Sequence, residues 1–323
     1  MQKYLKYSDV CLVPRYSELE SRSQADVSVD FLGQTFNLPV IPADMLDVIN
    51  KDIAYYLSEN DYFYIMHRWF HESDSRFENS LSVYDFVKNA IDNDWKTISI
   101  SIGVNDSYYN MLQKLVEFKL LPHFITVDTA HAHSINVRRI ITYIKQYMPT
   151  TKLIVGNVAT ADACEYLIKL GVDALKVGIG SGIICSTKNK TGFHVPMFSC
   201  CLECAVVCEK YNIPFIADGG IQEFGDIAKL LTAGATMGMS GKLFAECIDS
   251  PAEIINGHKQ YRGSTSFELK GNNKHVEGRL VEIKHSVTYK ERLEEISQAL
   301  KSSVSYGGGK DLSTFNLVNF IEV

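Results

Sequence analysis

The chain has 323 residues, enough for one large α/β domain or two smaller ones, each with a sizeable core. Its 46% hydrophobic and 22% charged residues make an ordinary globular mixture, and a net charge of −6 sets up no positive field for a nucleic-acid backbone. No run of eighteen apolar residues occurs, and the start, MQKYLKYSDVCLVPRY, lacks the apolar core of a signal peptide; the expected setting is the cytoplasm, with no membrane partner.

In chain order, short apolar runs alternate with amphipathic stretches. Strands are predicted at LPVIPA from Leu38, YFYIMH from Tyr62, TISISIG from Thr97 and HFITVD from His123. Further strands follow at KLIVGNV from Lys152, ALKVGIG from Ala174, PFIADGG from Pro214 and ATMGMSG from Ala235. Helical spacing fills the gaps, as in SLSVYDFVKNAIDND, INVRRIITYIKQY, ATADACEYLIKLG and EFGDIAKLLTAG. Near-continuous apolar strands separated by helices mean parallel strands covered on both faces. Eight such units predict a single α/β domain, a (β/α)8 TIM barrel over about residues 36–250, with an N-terminal arm and a 251–323 segment completing the site. An open doubly wound sheet is the lesser alternative.

In a barrel of this kind the reactive groups gather where the strands end. Those exits carry Asp44, His67, Arg68, Gly103, Asp128, Asn157, Gly180, Asp218 and Gly241. Turn chemistry accounts for the glycines, but less well for acids, bases and an amide placed directly after apolar runs. The longest loop follows strand six and begins GIGSGIICSTKNKTG. Its glycines at 178, 180 and 182 free the backbone to cradle phosphate or to ring a monovalent cation with carbonyls. Cys185 stands in this loop near Lys188 and Lys190, with Thr187 two residues on, as a candidate nucleophile. ADGGI at 217–221 and SGK at 240–242 put glycine turns after the last two strands, where this fold commonly binds phosphate.

The other cysteines read differently. Cys201 and Cys204 have the form of a redox or zinc half-site, but no second pair exists. Cys200, Cys204 and Cys208 recur every four residues, which is the buried stripe of a helix. His131 and His133 belong to a rim turn rather than to a metal site.

Taken together, GIGSGIICSTKNKTG at 178–192, VDTAHAHS at 127–134, IADGGI at 216–221, KHVEGR at 274–279 and SSVSYGGGKDL at 302–312 resemble the IMP dehydrogenase/GMP reductase family. YSDVCLVPRYS, VIPADM and YIMHRW extend the likeness from end to end. The interval between Arg68 and Asp128 leaves no room for the dehydrogenases' regulatory modules, and that between Lys242 and KHVEGR is too short for their flap. The chain therefore resembles the short reductase branch, in its second, mainly bacterial, type.

The resemblance implies NADPH-dependent conversion of GMP to IMP and ammonia through a thioimidate on Cys185, with Thr187 and Glu277 moving the proton. It implies substrate binding by Ser181, Asp218, Gly219, Gly220, Gly241, Lys242, Ser264 and Thr265. It also implies cofactor contacts from Arg68, Asp128, Thr129 and Ala130, K+ on the Gly180 and Gly182 carbonyls, and a homotetramer. Against the family pattern, Ser181 replaces a proline, Asp44 an asparagine and Lys242 a small residue. Two other readings stay open at this point: a short IMP dehydrogenase forming XMP with NAD, and a non-catalytic purine-nucleotide binder.

Overall fold

A computed structural model describes residues 3–68, 83–264, 266 and 277–323. The first strand, β1 (Val10–Leu12), is followed by a hairpin of β2 (Val29–Phe31) and β3 (Gln34–Phe36). The barrel strands are then β4 (Val40–Pro42), β5 (Ser99–Ile102), β6 (Phe124–Asp128), β7 (Lys152–Val158), β8 (Ala174–Val177), β9 (Phe215–Asp218) and β10 (Met237–Ser240). These seven form one parallel sheet in the order β4-β10-β9-β8-β7-β6-β5. The eighth predicted strand, residues 62–67, joins β5 through one parallel bridge between Met66 and Ile100. Two backbone bonds hold it there, from Met66 N–H to Ser99 at 3.0 Å and from Ser101 N–H to Met66 at 2.8 Å. All eight predicted strands thus occupy the expected places in the α/β barrel.

Helices flank the sheet where the amphipathic stretches predict them. Ile135–Tyr147 buries Val137, Ile140, Ile141 and Ile144, a stripe at helical spacing. Ala161–Lys169 begins where the Thr160 hydroxyl accepts the Ala163 N–H at 3.3 Å. In Met197–Tyr211 the predicted cysteine stripe is buried, and this helix packs against Ala161–Lys169, whose Cys164 is buried too. Those thiols are the packing seam between two neighbouring helices.

Side-chain parity sorts the barrel interior into layers. Its lower half is apolar: Ile41, Phe63, Ile65, Phe124, Ile154, Ala174, Ile216 and Met237 pack with Phe31 and Phe36 of the hairpin, which plugs that end. Two residues further along the same faces stand Lys176 after Ala174, Asp218 after Ile216, and Asp128 four after Phe124. The interior therefore changes from hydrocarbon to charge at the C-terminal mouth.

Beyond the barrel, β11 (Ile254–Ile255), β12 (His258–Arg262) and β13 (Leu280–Ile283) make a three-stranded antiparallel sheet. The C-terminal helix Tyr289–Gly307 follows, and β14 (Phe320–Glu322) pairs antiparallel with β1. The C-terminal segment folds back on the N-terminal arm, with the Arg15 N–H donating to the Tyr306 carbonyl at 2.8 Å. Among the described residues, no helix is long and apolar enough to cross a membrane.

Candidate active site

The glycine loop after β8 does not stand free in solvent. Gly180 adopts φ +76°, a left-handed turn natural to glycine, and the His194 ring holds the preceding Ile179 carbonyl at 2.9 Å. The far side is clamped by the strap before β13. Ser186 N–H donates to the Glu277 carbonyl at 2.7 Å, Arg279 N–H donates to Ile184 at 3.0 Å, and Cys185 bridges Gly278. Pairing with this strap leaves Cys185 half-buried.

That pairing also aligns three side chains. The Cys185 thiol lies 3.2 Å from Thr187 Oγ1, and the Thr187 hydroxyl donates in turn to the Glu277 carboxylate. A hydroxyl in the middle of such a line can accept a proton from one side while donating one to the other. Ser264 also lines the cleft, next to Gly263, whose N–H donates to the Arg279 carbonyl of the strap at 3.1 Å, and two residues after Arg262, which is fixed by an ion pair with Asp47 at 2.7 Å. Thr265 lies outside the described residues, as do Trp69 and the first three residues of KHVEGR.

A cleft of about 410 Å³ opens over the barrel mouth, with Cys185, Thr187 and Glu277 on one wall and Arg68, Asp128, Thr129 and Ala130 on the other. Its floor is an ionic cluster absent from the sequence reading. The Lys176 ammonium, 2% exposed as a residue, is 2.8 Å from Asp128, 2.7 Å from Asp218 and 3.9 Å from Asp44. Gly156 stands opposite both Asp128 and Lys176 in the ladders, and a Cβ there would lie 2.5 Å from the Lys176 Cβ. The missing side chain makes room for the lysine to cross β7. Lysine inside a buried strand is itself a signal, because lysine is almost never buried without a partner.

Burial opposes the charge on Lys176, but Asp128, Asp218 and Asp44 outweigh it and hold the ammonium above its usual range. Burial likewise works against Asp128, which Lys176 and Arg68 nonetheless hold well below the usual carboxylate range. Arg68 forms an ion pair with Asp128 as well. Asp218 accepts from the Asn157 amide at 2.7 Å, and that amide also reaches the Gly178 carbonyl at 2.7 Å. His67, predicted at the rim, is buried, which holds it down to about 4 and leaves it neutral at pH 7.

The remaining predicted binding residues divide. Ser181, Gly182, Gly219 and Gly241 line an adjoining lobe of about 210 Å³ that shares Cys185, Asp218 and Glu277 with the main cleft. Gly219 has φ +92° and brings Ser181 within 3.3 Å of where its Cβ would be, but its N–H is already donated to Met239 at 3.1 Å. It supplies room in the lobe rather than a free donor. Gly220 instead faces a neighbouring cavity of about 430 Å³ beside Tyr7. The Lys242 ammonium points to the Gln222 carbonyl at 3.1 Å and takes no part in lining either lobe. Tyr261, missed in the sequence, does line the smaller lobe, its hydroxyl 1.8 Å from where a Cβ on Gly241 would be. The Gly182 carbonyl accepts the Cys185 N–H at 3.0 Å.

The family model for the IMP dehydrogenase/GMP reductase domain matches residues 4–323. A GMP reductase of Staphylococcus epidermidis is 42% identical over 326 aligned residues, covering 99% of this chain and 97% of the relative. A GMP reductase of Staphylococcus aureus is 40% identical with the same coverage. With the barrel, the clamped cysteine loop and a match along nearly its whole length, the chain belongs to the IMP dehydrogenase/GMP reductase family.

Proposed function

We propose that this chain is an NADPH-dependent GMP reductase that converts GMP to IMP and ammonia in purine interconversion. The observation that carries the reading is the unbroken line Cys185–Thr187–Glu277 on the wall of a cleft floored by Asp218. Thr187 relays the thiol proton of Cys185 to Glu277, and the thiolate adds to C2 of the guanine ring. The C2–amino bond breaks as Glu277 returns that proton through Thr187 to the departing ammonia, leaving a thioimidate. NADPH, when bound, supplies a hydride to C2. The S–C2 bond then breaks, Cys185 leaves as thiolate and the product is IMP.

The residues present fit this cofactor. A nicotinamide carboxamide needs both a donor and an acceptor, and Asn157 Oδ1 is buried without a hydrogen-bond partner beside the cleft. Arg68, Asp128, Thr129 and Ala130 on the far wall would hold the ring; Asp218 would take the ribose hydroxyls. The phosphate falls to the smaller lobe, at Ser181, Gly241 and Tyr261. For K+, the Gly182 carbonyl keeps one lone pair beyond its bond to Cys185, and Gly180 would supply the second donor. The reading includes a cytoplasmic homotetramer, which sedimentation equilibrium checks.

Loss of NADPH absorbance that requires GMP and releases ammonia and IMP is the expected result, abolished in Cys185→Ala. XMP formation from IMP with NAD, or no turnover of GMP in reducing potassium buffer, refutes the reading.

A further inference from the structure

Among the described residues, the ionic cluster on the cleft floor is unbalanced. Three carboxylates, Asp44 after β4, Asp128 on β6 and Asp218 on β9, meet two cations, Lys176 on β8 and Arg68. Lys176 is within 2.8 Å of Asp128 and 2.7 Å of Asp218, and Arg68 pairs with Asp128, so both cations are committed to those two acids. Asp44 is the surplus carboxyl. It is 7% exposed, its Oδ1 stays 3.9 Å from the lysine, and its Oδ2 is buried with no hydrogen-bond partner while the residue lines the cleft.

We propose that Asp44 selects the ligand as a neutral carboxylic acid, donating a hydrogen bond from Oδ2 to an acceptor atom of the purine nucleoside in the cleft. The proposal rests on the GMP reading above and deepens it. A buried polar atom without a partner is destabilising, a penalty that a ligand acceptor would remove on binding. An ionised Asp44 would do the opposite, placing a third negative charge against the ligand's acceptor. Burial, then the Asp128 and Asp218 carboxylates, push Asp44 up to about 7 against the pull of Lys176 and Arg68. The acid form is therefore present at neutral pH and is lost in mild alkali.

The test is calorimetric binding of GMP, without NADPH, to the full-length wild type, Asp44→Asn and Asp44→Ala at about pH 6.5 and about pH 8.5. Comparing proteins at one pH cancels ionisation of the nucleotide itself. Asparagine keeps a donor that does not titrate, so the ratio of wild-type to Asp44→Asn Kd should rise by up to about 25-fold across this range. Asp44→Ala, with no donor, should bind about tenfold more weakly than wild type at the lower pH. A flat ratio while both proteins bind GMP, or wild-type affinity in Asp44→Ala, overturns the proposal and leaves the reductase reading standing. GMP bound by none of the three at either pH overturns that reading, and this proposal with it.

Discussion

Lys176→Met removes the charge at the centre of the cleft floor while keeping most of the side-chain volume. In the intact protein the ammonium touches Asp128 at 2.8 Å and Asp218 at 2.7 Å and is 2% exposed. Removing one partner from a buried ion pair strands the other and costs about 3–5 kcal/mol. Unfolding entropy of about 2.1 cal/mol/K per residue gives roughly 0.7 kcal/mol/K for 323 residues, so Tm should fall by about 4–7 °C near pH 8. The pH dependence fixes the cause. Asp128 is depressed in the wild type, so its contribution is present above the unfolded carboxylate range and is lost as pH falls below it. In the variant the stranded acids take up protons more readily, and the deficit should shrink as pH falls from about 8 towards about 5. Thermal melts of both proteins at matched scan rate measure this. A Tm loss below about 1 °C near pH 8, or a loss of equal size at both pH values, refutes the assignment of Lys176 as the counter-charge of this cluster.

Glu277→Gln removes the proton acceptor beyond Thr187, and kcat with GMP should drop by about 10²–10⁴-fold while GMP Kd changes little; kcat within about threefold of wild type would exclude the relay. Gly241→Ala places a methyl 1.8 Å from the Tyr261 hydroxyl, so the smaller lobe must distort. Its KM for GMP should rise at least tenfold, an effect that Tyr261→Phe should not reverse because the ring still sits 3.0 Å from the new Cβ; an unchanged KM would move the phosphate site elsewhere.

Much of the framework follows from local pattern. Apolar runs locate the eight strands because strands covered on both faces must be apolar whatever their neighbours, and the stripe in INVRRIITYIKQY gives Ile135–Tyr147 its bounds. The glycines around Cys185 mark a loop that must turn sharply, and their spacing needs no partner to be read. Asp128 and Asp218 are visible as acids directly after apolar runs.

The pairings across the mouth are not local. Glu277 is one glutamate among many until the strap lays Gly278 beside Cys185 and carries its carboxylate to Thr187, 90 positions away in sequence. Lys176 reads as an interruption of ALKVGIG until the β6–β7–β8 register sets Gly156 between it and Asp128. The surplus of carboxylate at Asp44 exists only as a sum over five strands. Which segments form strands and helices, and which loop bears the thiol, follow from neighbours along the chain. Which charges meet follows instead from register and barrel curvature, because Coulomb energy and desolvation depend on the distances these create.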